Sequence, residues 1–162
     1  MTDPAPHPDD AFADPRLTEV GLLFEAGNGL RHKLTPAWSE HGLSLLDFTV
    51  LMRLSRSPGN RLRLIDLAAQ SRLSTSGVTR LVDRLERNTL ARREPDPSDR
   101  RGSYAVLTPE GEARLAAAVP RYLEIAQEWF VDKLTTEQRA AMVTALRILR
   151  DASFPDAALV TE

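Results

Sequence analysis

The residues with the most chemical potential in this sequence form one run, Ser74-Thr75-Ser76-Gly77-Val78-Thr79-Arg80, at the head of a segment reaching Arg87. Ser74 is placed to cap a helix, because a serine hydroxyl accepts from the free N–H groups of a first turn. With Val78, Leu81 and Leu85 turned to a core, helical geometry puts Thr75, Ser76, Thr79 and Arg80 outward over the first two turns. Hydroxyls and a guanidinium there can donate to phosphates or base edges, and short side chains let the backbone come close. The helix N-terminus adds its own donors for a phosphate. A second run, Asp99-Arg100-Arg101, offers two guanidinium groups on a protruding tip. An arginine so placed can enter the narrow, strongly negative minor groove, with Asp99 fixing its angle by hydrogen bonding. Each run alone also suits a capped surface helix or a polar loop; the pair points to nucleic acid.

The charge distribution supports this. The 162 residues carry 21 basic and 23 acidic groups, a net charge of −2. Residues 53–103 hold 12 of the basic groups, all arginine, and 6 acids, so that segment is +6 and the remainder −8. Arginine presents planar, forked donors suited to phosphates and base edges. A pI near 6 for the whole chain hides this segregation.

Other chemistries lack their residues. Cys is absent, which excludes disulfides, cysteine nucleophiles and cysteine-ligated zinc. The three histidines, His7, His32 and His41, show no metal-binding spacing, so no metal is expected. Ser76 and Ser103 have no neighbouring His or Asp pattern to activate them, and no phosphate loop occurs. No enzyme activity and no cofactor are expected. No run approaches the roughly 18 apolar residues of a membrane span, and the N-terminus does not read as a signal peptide. A cytoplasmic location fits.

The elements that must position the two runs follow from periodicity and punctuation. Residues 1–15, with four Pro and four Asp, read as a disordered acidic tail. Arg16 to His41 reads as a long helix with Pro36 a kink or break. Ser44-x-x-Asp47 heads a second helix over 44–56, with Leu45, Phe48, Leu51, Met52 and Leu54 as its buried face. A short strand at 61–63, a short helix at 64–70 and a tight link at 71–73 lead into the capped helix. Two short helices so joined make a helix-turn-helix candidate. Strands at 90–94 and 103–107 flank a loop, 95–102, whose two prolines exclude regular structure: a β-wing. Thr108-Pro109 opens a helix to about Lys133, bent at Pro120, and Thr135-x-x-Gln138 opens the last, to about Ala152. The apolar stripes of the outer helices exceed what so small a core needs, and a homodimer packing them together is the simple answer. Trp38, Phe48 and Trp129 are candidates to line a ligand cleft. Residues 153–162 read as a frayed tail.

These residues resemble the MarR family of transcriptional regulators over about 16–151. The resemblance is carried by Leu67-Ala68, Ser74, Val78-Thr79-Arg80-Leu81-Val82-Asp83-Arg84-Leu85-Glu86, Leu90, Arg93, Asp99-Arg100-Arg101 and Val106-Leu107-Thr108-Pro109-Glu110-Gly111. It implies a mainly α fold with a small β-wing: a winged helix-turn-helix DNA-binding region, 44–107, and a helical dimerisation region, 16–43 and 108–152. It implies obligate homodimers on a pseudo-palindromic operator in double-stranded DNA. Arg101 is then the minor-groove arginine and Asp99 its orienting partner, beside Arg100. Ser74, Thr75, Ser76, Thr79, Arg80 and Arg84 fall on the recognition helix. Many such regulators release DNA when a small aromatic or anionic effector binds between the two regions, where Trp38 and Phe48 are the expected pocket residues. The expectation is a dimeric, ligand-responsive repressor; the alternatives are a non-specific architectural DNA binder, or a protein-interaction module using the Arg-rich face. Two departures matter: the missing Cys excludes the thiol-based peroxide-sensing branch of the family, and most relatives have Gly where this chain has Thr89. Asn88 tolerates a left-handed conformation and is expected to close the helix one residue earlier.

Overall fold

A computed structural model describes residues 12–158. Helix α1 (Pro15–Ser39) is capped by Asp14 and opened by Pro15, both inside the segment expected to be a tail; residues 1–11 lie outside the described chain. Pro36 does not break α1, which stays continuous to Ser39. Helix α2 (Leu45–Ser55) begins with the expected capping box: the Ser44 hydroxyl accepts from Asp47 N–H, and the Asp47 carboxylate accepts from Ser44 N–H. A 3₁₀ turn (Pro58–Asn60) leads to strand β1 (Arg61–Arg63), helix α3 (Leu64–Gln70) and helix α4 (Thr75–Arg87). Strands β2 (Ala91–Asp96) and β3 (Asp99–Leu107) form the hairpin, and β1 adds to β3, giving the antiparallel order β1-β3-β2. Helix α5 (Pro109–Trp129) and helix α6 (Thr136–Ser153) complete the chain, with the Thr135–Gln138 capping box in place. The expected frayed tail instead continues as a 3₁₀ turn, Pro155–Ala158; residues 159–162 lie outside the described chain. The mainly α fold with a small β-wing is as the sequence implied.

The core sits where α2, α3, α4 and the sheet meet: Val50, Leu51, Leu54, Leu67, Val78, Leu81, Val82 and Leu85 are almost wholly buried. Leu45, expected in this face, is 39% exposed. The stripe that faces inward from α2 includes Phe48, Val50, Leu51 and Leu54, while Leu45, in the first turn, borders Trp38 in a surface cleft.

Helix α4 ends at a corner that sets the angle of the wing. Asn88 stays at φ −91°, and Thr89 takes the left-handed conformation at φ 60°, so the expected assignment to Asn88 is off by one residue. Thr89 N–H donates to Glu86 O (2.9 Å) and Leu90 N–H to Leu85 O (2.9 Å), the paired bonds of a Schellman cap. The pattern requires an apolar residue just past the left-handed one, and Leu90, 2% exposed, supplies it. The Leu-Thr-x-x-Gly signature closes on this corner. Thr108 N–H donates to Leu90 O (3.2 Å) and its hydroxyl donates to Thr89 O (2.5 Å). Gly111 lies directly on the corner, since a Cβ there would come within 2.0 Å of Leu90 O.

A second tie seats α4 on α2. The Arg84 guanidinium donates to Asp47 Oδ1 (2.6 Å from Nη2, 3.2 Å from Nε), and the Ser44 hydroxyl to Oδ2 (2.6 Å). Burial pushes the Asp47 carboxyl up, but these hydrogen bonds, from Ser44 first and then Arg84, outweigh it and hold it below the usual aspartate range.

Two predictions follow. Thr89→Gly relieves a β-branched residue at positive φ and raises the melting temperature, a gain of about 1 kcal/mol, whereas Gly111→Ala forces the corner open and costs about 3 kcal/mol; thermal denaturation of both separates the two signs. Asp47→Asn weakens the cap and leaves Arg84 without a counter-charge, a loss of about 1–2 kcal/mol at neutral pH. Because the folded pKa is depressed, the carboxylate's contribution is complete above the unfolded value of about 3.9 and disappears as pH falls through the folded one. The gap between wild type and Asp47→Asn in denaturant titrations therefore closes below about pH 4.

Candidate nucleic-acid interface

The α4 N-terminus is built from hydroxyls. Ser74 Oγ accepts from Gly77 N–H (3.1 Å) and lies 3.1 Å from Ser76 Oγ. Thr79 donates to Thr75 O (2.9 Å), which satisfies its hydroxyl proton within the helix. Ser74, Thr75, Ser76, Thr79 and Arg80 are all exposed, on the side opposite Val78, Leu81 and Leu85. Arg84 does not join them: its guanidinium is spent on Asp47.

The wing forms, but its tip differs from the expected irregular loop. Its strands run on to Asp96 and from Asp99, joined by a two-residue turn at Pro97-Ser98. Pro95 pairs with Ser103 and Asp96 with Asp99, so Arg100, Arg101 and Gly102 have no partners opposite and bulge out of the ladder. Pro95 is tolerated because β2 is an edge strand. The bulge leaves Arg100 and Arg101 exposed at the tip. Asp99 accepts from the backbone N–H of Arg101 (2.9 Å), so it fixes the main chain that carries the guanidinium rather than the guanidinium itself.

Three residues missed at the sequence level brace this tip. Asp96, only 5% exposed, accepts from the Ser98 hydroxyl (2.7 Å) and N–H (2.9 Å) and pairs with Arg63 Nε at 3.0 Å. Ser98, followed by Arg63, holds the Asp96 carboxyl below the usual aspartate range. Tyr104 receives a hydrogen bond from Arg63 (3.1 Å), and the Arg61 guanidinium stacks over its ring at 4.7 Å. The alternation Arg61-Leu62-Arg63 marked the strand but not this bracing. Arg93 ties the wing to α4 through Thr79 O (3.0 Å) and Asp83 (2.7 Å). Between wing and helix runs a groove of about 300 Å³ whose walls include Thr75, Ile65, Arg63 and Arg101.

Trp38 and Phe48 do come together. Both are buried, with ring centroids 5.7 Å apart, and Phe48 stacks on Tyr122 at 5.4 Å. They line a cleft of about 240 Å³ with Leu30, Arg31 and Tyr122. Trp129 is not part of it. It lies in a larger apolar groove of about 590 Å³ between α1, α5 and α6, under the Lys33 ammonium at 3.9 Å. Among the described residues no cluster of His, Asp and Glu could hold a metal, and no helix is long and apolar enough to cross a membrane.

Comparison with known proteins gives this geometry its context. The MarR family model matches residues 41–102. The transcriptional regulator HosA of Escherichia coli O157:H7 is 31% identical over 134 residues, 81% of this chain and 96% of HosA. Among solved structures, the chain is similar to Sco3205, a MarR family transcriptional regulator from Streptomyces coelicolor crystallised in complex with DNA. That match has a TM-score of 0.76 and 31% identity, covering 85% of this chain and 86% of Sco3205. It is also similar to BpsR of Bordetella bronchiseptica, whose DNA binding is regulated by 6-hydroxynicotinic acid, with a TM-score of 0.70 and 27% identity over 81% of this chain and 91% of BpsR. The fold, the helix-turn-helix with its bulged wing, and these relatives together make the chain a member of the MarR family of DNA-binding transcriptional regulators.

Proposed function

We propose that the chain acts as a homodimeric repressor that reads a pseudo-palindromic operator and lets it go when a small aromatic or anionic effector binds. The observation that carries this reading is the shared groove: Thr75 at the start of α4 and Arg101 on the wing bulge line the same cleft, with exposed donors on both sides. Thr75, Ser76, Thr79 and Arg80 face the major groove, with Ser74 ordering the helix terminus that meets a phosphate. Arg100 and Arg101 reach the backbone and the minor groove, on a main chain held by Asp99. Arg84 serves by seating α4 on α2. Residues 44–107 form the DNA-binding region in this reading, and the complex with DNA known for Sco3205 supports it. A cytoplasmic location goes with this reading.

Residues 16–43 and 108–152 form the dimerisation region. Leu17, Val20, Leu22 and Phe24 on α1 are more than half exposed in the single chain, as are Ile148 and Leu149 on α6, a helix with no buried residue. Exposed apolar residues in this number on two helices call for a partner. A two-fold pair places two α4 helices in successive major grooves, about 10 bp apart. The Trp38–Phe48 cleft lies where α1, α2 and α5 meet, so an occupant there changes how the DNA-binding region sits on the long helices. The effector control of BpsR supports this part of the reading.

Arg101→Ala is expected to weaken operator binding by about 1–3 kcal/mol and to lower the slope of log affinity on log salt by roughly 0.9 per wing. A fluorescence-anisotropy titration at several salt concentrations measures both, and unchanged affinity and slope would remove the wing from the interface. Arg80→Ala changes the preference between operator and random duplex; equal loss on both marks a non-specific architectural binder, and no duplex binding at low salt marks a protein-interaction module. Sedimentation equilibrium should return a dimer, and the double change Leu23→Glu with Leu146→Glu a monomer.

A further inference from the structure

Helix α4 lies between two corners, and each holds a non-glycine residue in the left-handed conformation: Arg72 (φ 50°) before it and Thr89 after it. The turn at Arg72 closes α3 as a second Schellman cap, with Arg72 N–H donating to Ala69 O (3.1 Å) and Leu73 N–H to Ala68 O (2.9 Å). Glycine or asparagine takes such a position with least strain. The backbone gives no reason for an arginine here; its side chain supplies one. The Arg72 guanidinium reaches a residue 81 positions later, where Nη2 donates to Ser153 O (2.5 Å), and it stacks over the Phe154 ring at 4.2 Å. Ser153 is the last residue of α6, and the final carbonyls of a helix have no partners within it. A cation there also meets the negative end of the helix dipole. Arg72 thus ends two helices at once, α3 with its backbone and α6 with its side chain. Phe154 is half-buried, and the 3₁₀ turn that follows it, Pro155–Ala158, packs against α3.

We propose that Arg72 and Phe154 form a latch through which the end of α6 holds the α3–α4 turn, making both of them positioning residues for the DNA-reading helix. The core grips α4 from Val78 onward; no residue of its first turn, Thr75 to Gly77, is buried. That turn carries the hydroxyls of the reading face, and its aim depends on the corner before it. Ser74, the α4 cap, stands two positions after Arg72, which leaves almost no slack between the latched residue and the helix. The latch also changes what the charge of Arg72 does. Beside the α4 N-terminus an arginine invites assignment as a phosphate contact, but this guanidinium is engaged by the C-terminal segment. The effect on DNA rests on the operator reading above; the latch itself does not.

Hydrogen exchange on the full chain tests the latch, and duplex binding tests its output. Phe154→Ala and Arg72→Ala are each expected to speed exchange of the Ser71 and Leu73 amides about threefold or more, with the β2–β3 ladder unchanged. Binding is read by fluorescence anisotropy on a duplex selected by the wild-type protein from a random pool, beside a scrambled duplex. Each alanine variant loses about threefold to tenfold on the selected duplex, and Phe154→Tyr, which keeps the ring face, binds as wild type. The salt slope stays the same, because no phosphate contact is removed. The double variant loses no more than either single one, since the two side chains act as a unit. Arg72→Gly relieves the left-handed strain and melts higher than Arg72→Ala, yet loses affinity as well, which separates positioning from stability. Unchanged exchange at the turn in both alanine variants overturns the latch. Additive losses, or a lower salt slope in Arg72→Ala while Phe154→Ala binds as wild type, make Arg72 a phosphate contact and overturn it too. Faster exchange with full affinity for the selected duplex overturns the positioning role. A wild-type chain that selects no duplex removes the operator reading instead, and the exchange result then decides the latch alone.

Discussion

The corner from Asn88 to Leu90 is the constraint on which the reading face depends. Helix α4, the wing and α5 all meet there, and their mutual angles are fixed by four backbone groups: Glu86 O, Leu85 O, Thr89 O and Leu90 O. The two carbonyls at the end of α4 would otherwise be unpaired. Once Leu90 is buried, Thr89 must take the left-handed conformation, whatever its side chain prefers. Thr108 then satisfies the corner's remaining acceptors while capping α5, and Gly111 lets α5 approach at backbone distance. A shift of this corner would move the bulged arginines away from the helix they must act with. The strain stored at Thr89 is thus the cost of holding helix α4 and the wing at one angle.

The arginines divide by what surrounds them, and composition alone could not sort them. Arg84 and Arg93 are held by Asp47, Asp83 and Glu86 and serve as struts. Arg63 braces Asp96 beneath the hairpin, and Arg92 pairs with Glu94. Arg80, Arg100 and Arg101 are exposed at the two elements that flank the groove. The +6 of residues 53–103 therefore contains a scaffold of paired charges and a smaller set free for phosphate. Paired arginines still contribute to the long-range field, so the segment attracts a polyanion as a whole while only a few side chains touch it.

Much of this was legible because the local signals were complete. The boxes at Ser44–Asp47 and Thr135–Gln138 and the caps at Ser74 and Thr108 each needed only residues within one turn, and each forms as read. The errors came where a distant partner decides. Pro97 does interrupt the strands, at the turn, but Pro95 also reads as a breaker although it lies in β2, an edge strand, and only the pairing order reveals that. Asn88 was favoured over Thr89 on intrinsic preference, but the burial of Leu90 sets the register. Arg84 read as a contact residue because its charge is visible in the sequence and Asp47, 37 positions earlier, is not visibly its partner. The bracing of the wing by Arg63 and Asp96 was hidden for the same reason.

The acidic remainder of the chain also has a physical consequence. Residues outside 53–103 carry −8, against +6 within. The long helices α1, α5 and α6 carry as many basic as acidic residues, so the excess acid lies outside them, mostly in the terminal segments and loops. The chain as a whole is therefore not a cation, and the positive segment attracts a duplex only within about one Debye length, near 8 Å at physiological salt. In the proposed reading little net charge remains to hold the protein on random DNA, so discrimination rests on the contacts of α4 and the wing tip rather than on bulk attraction.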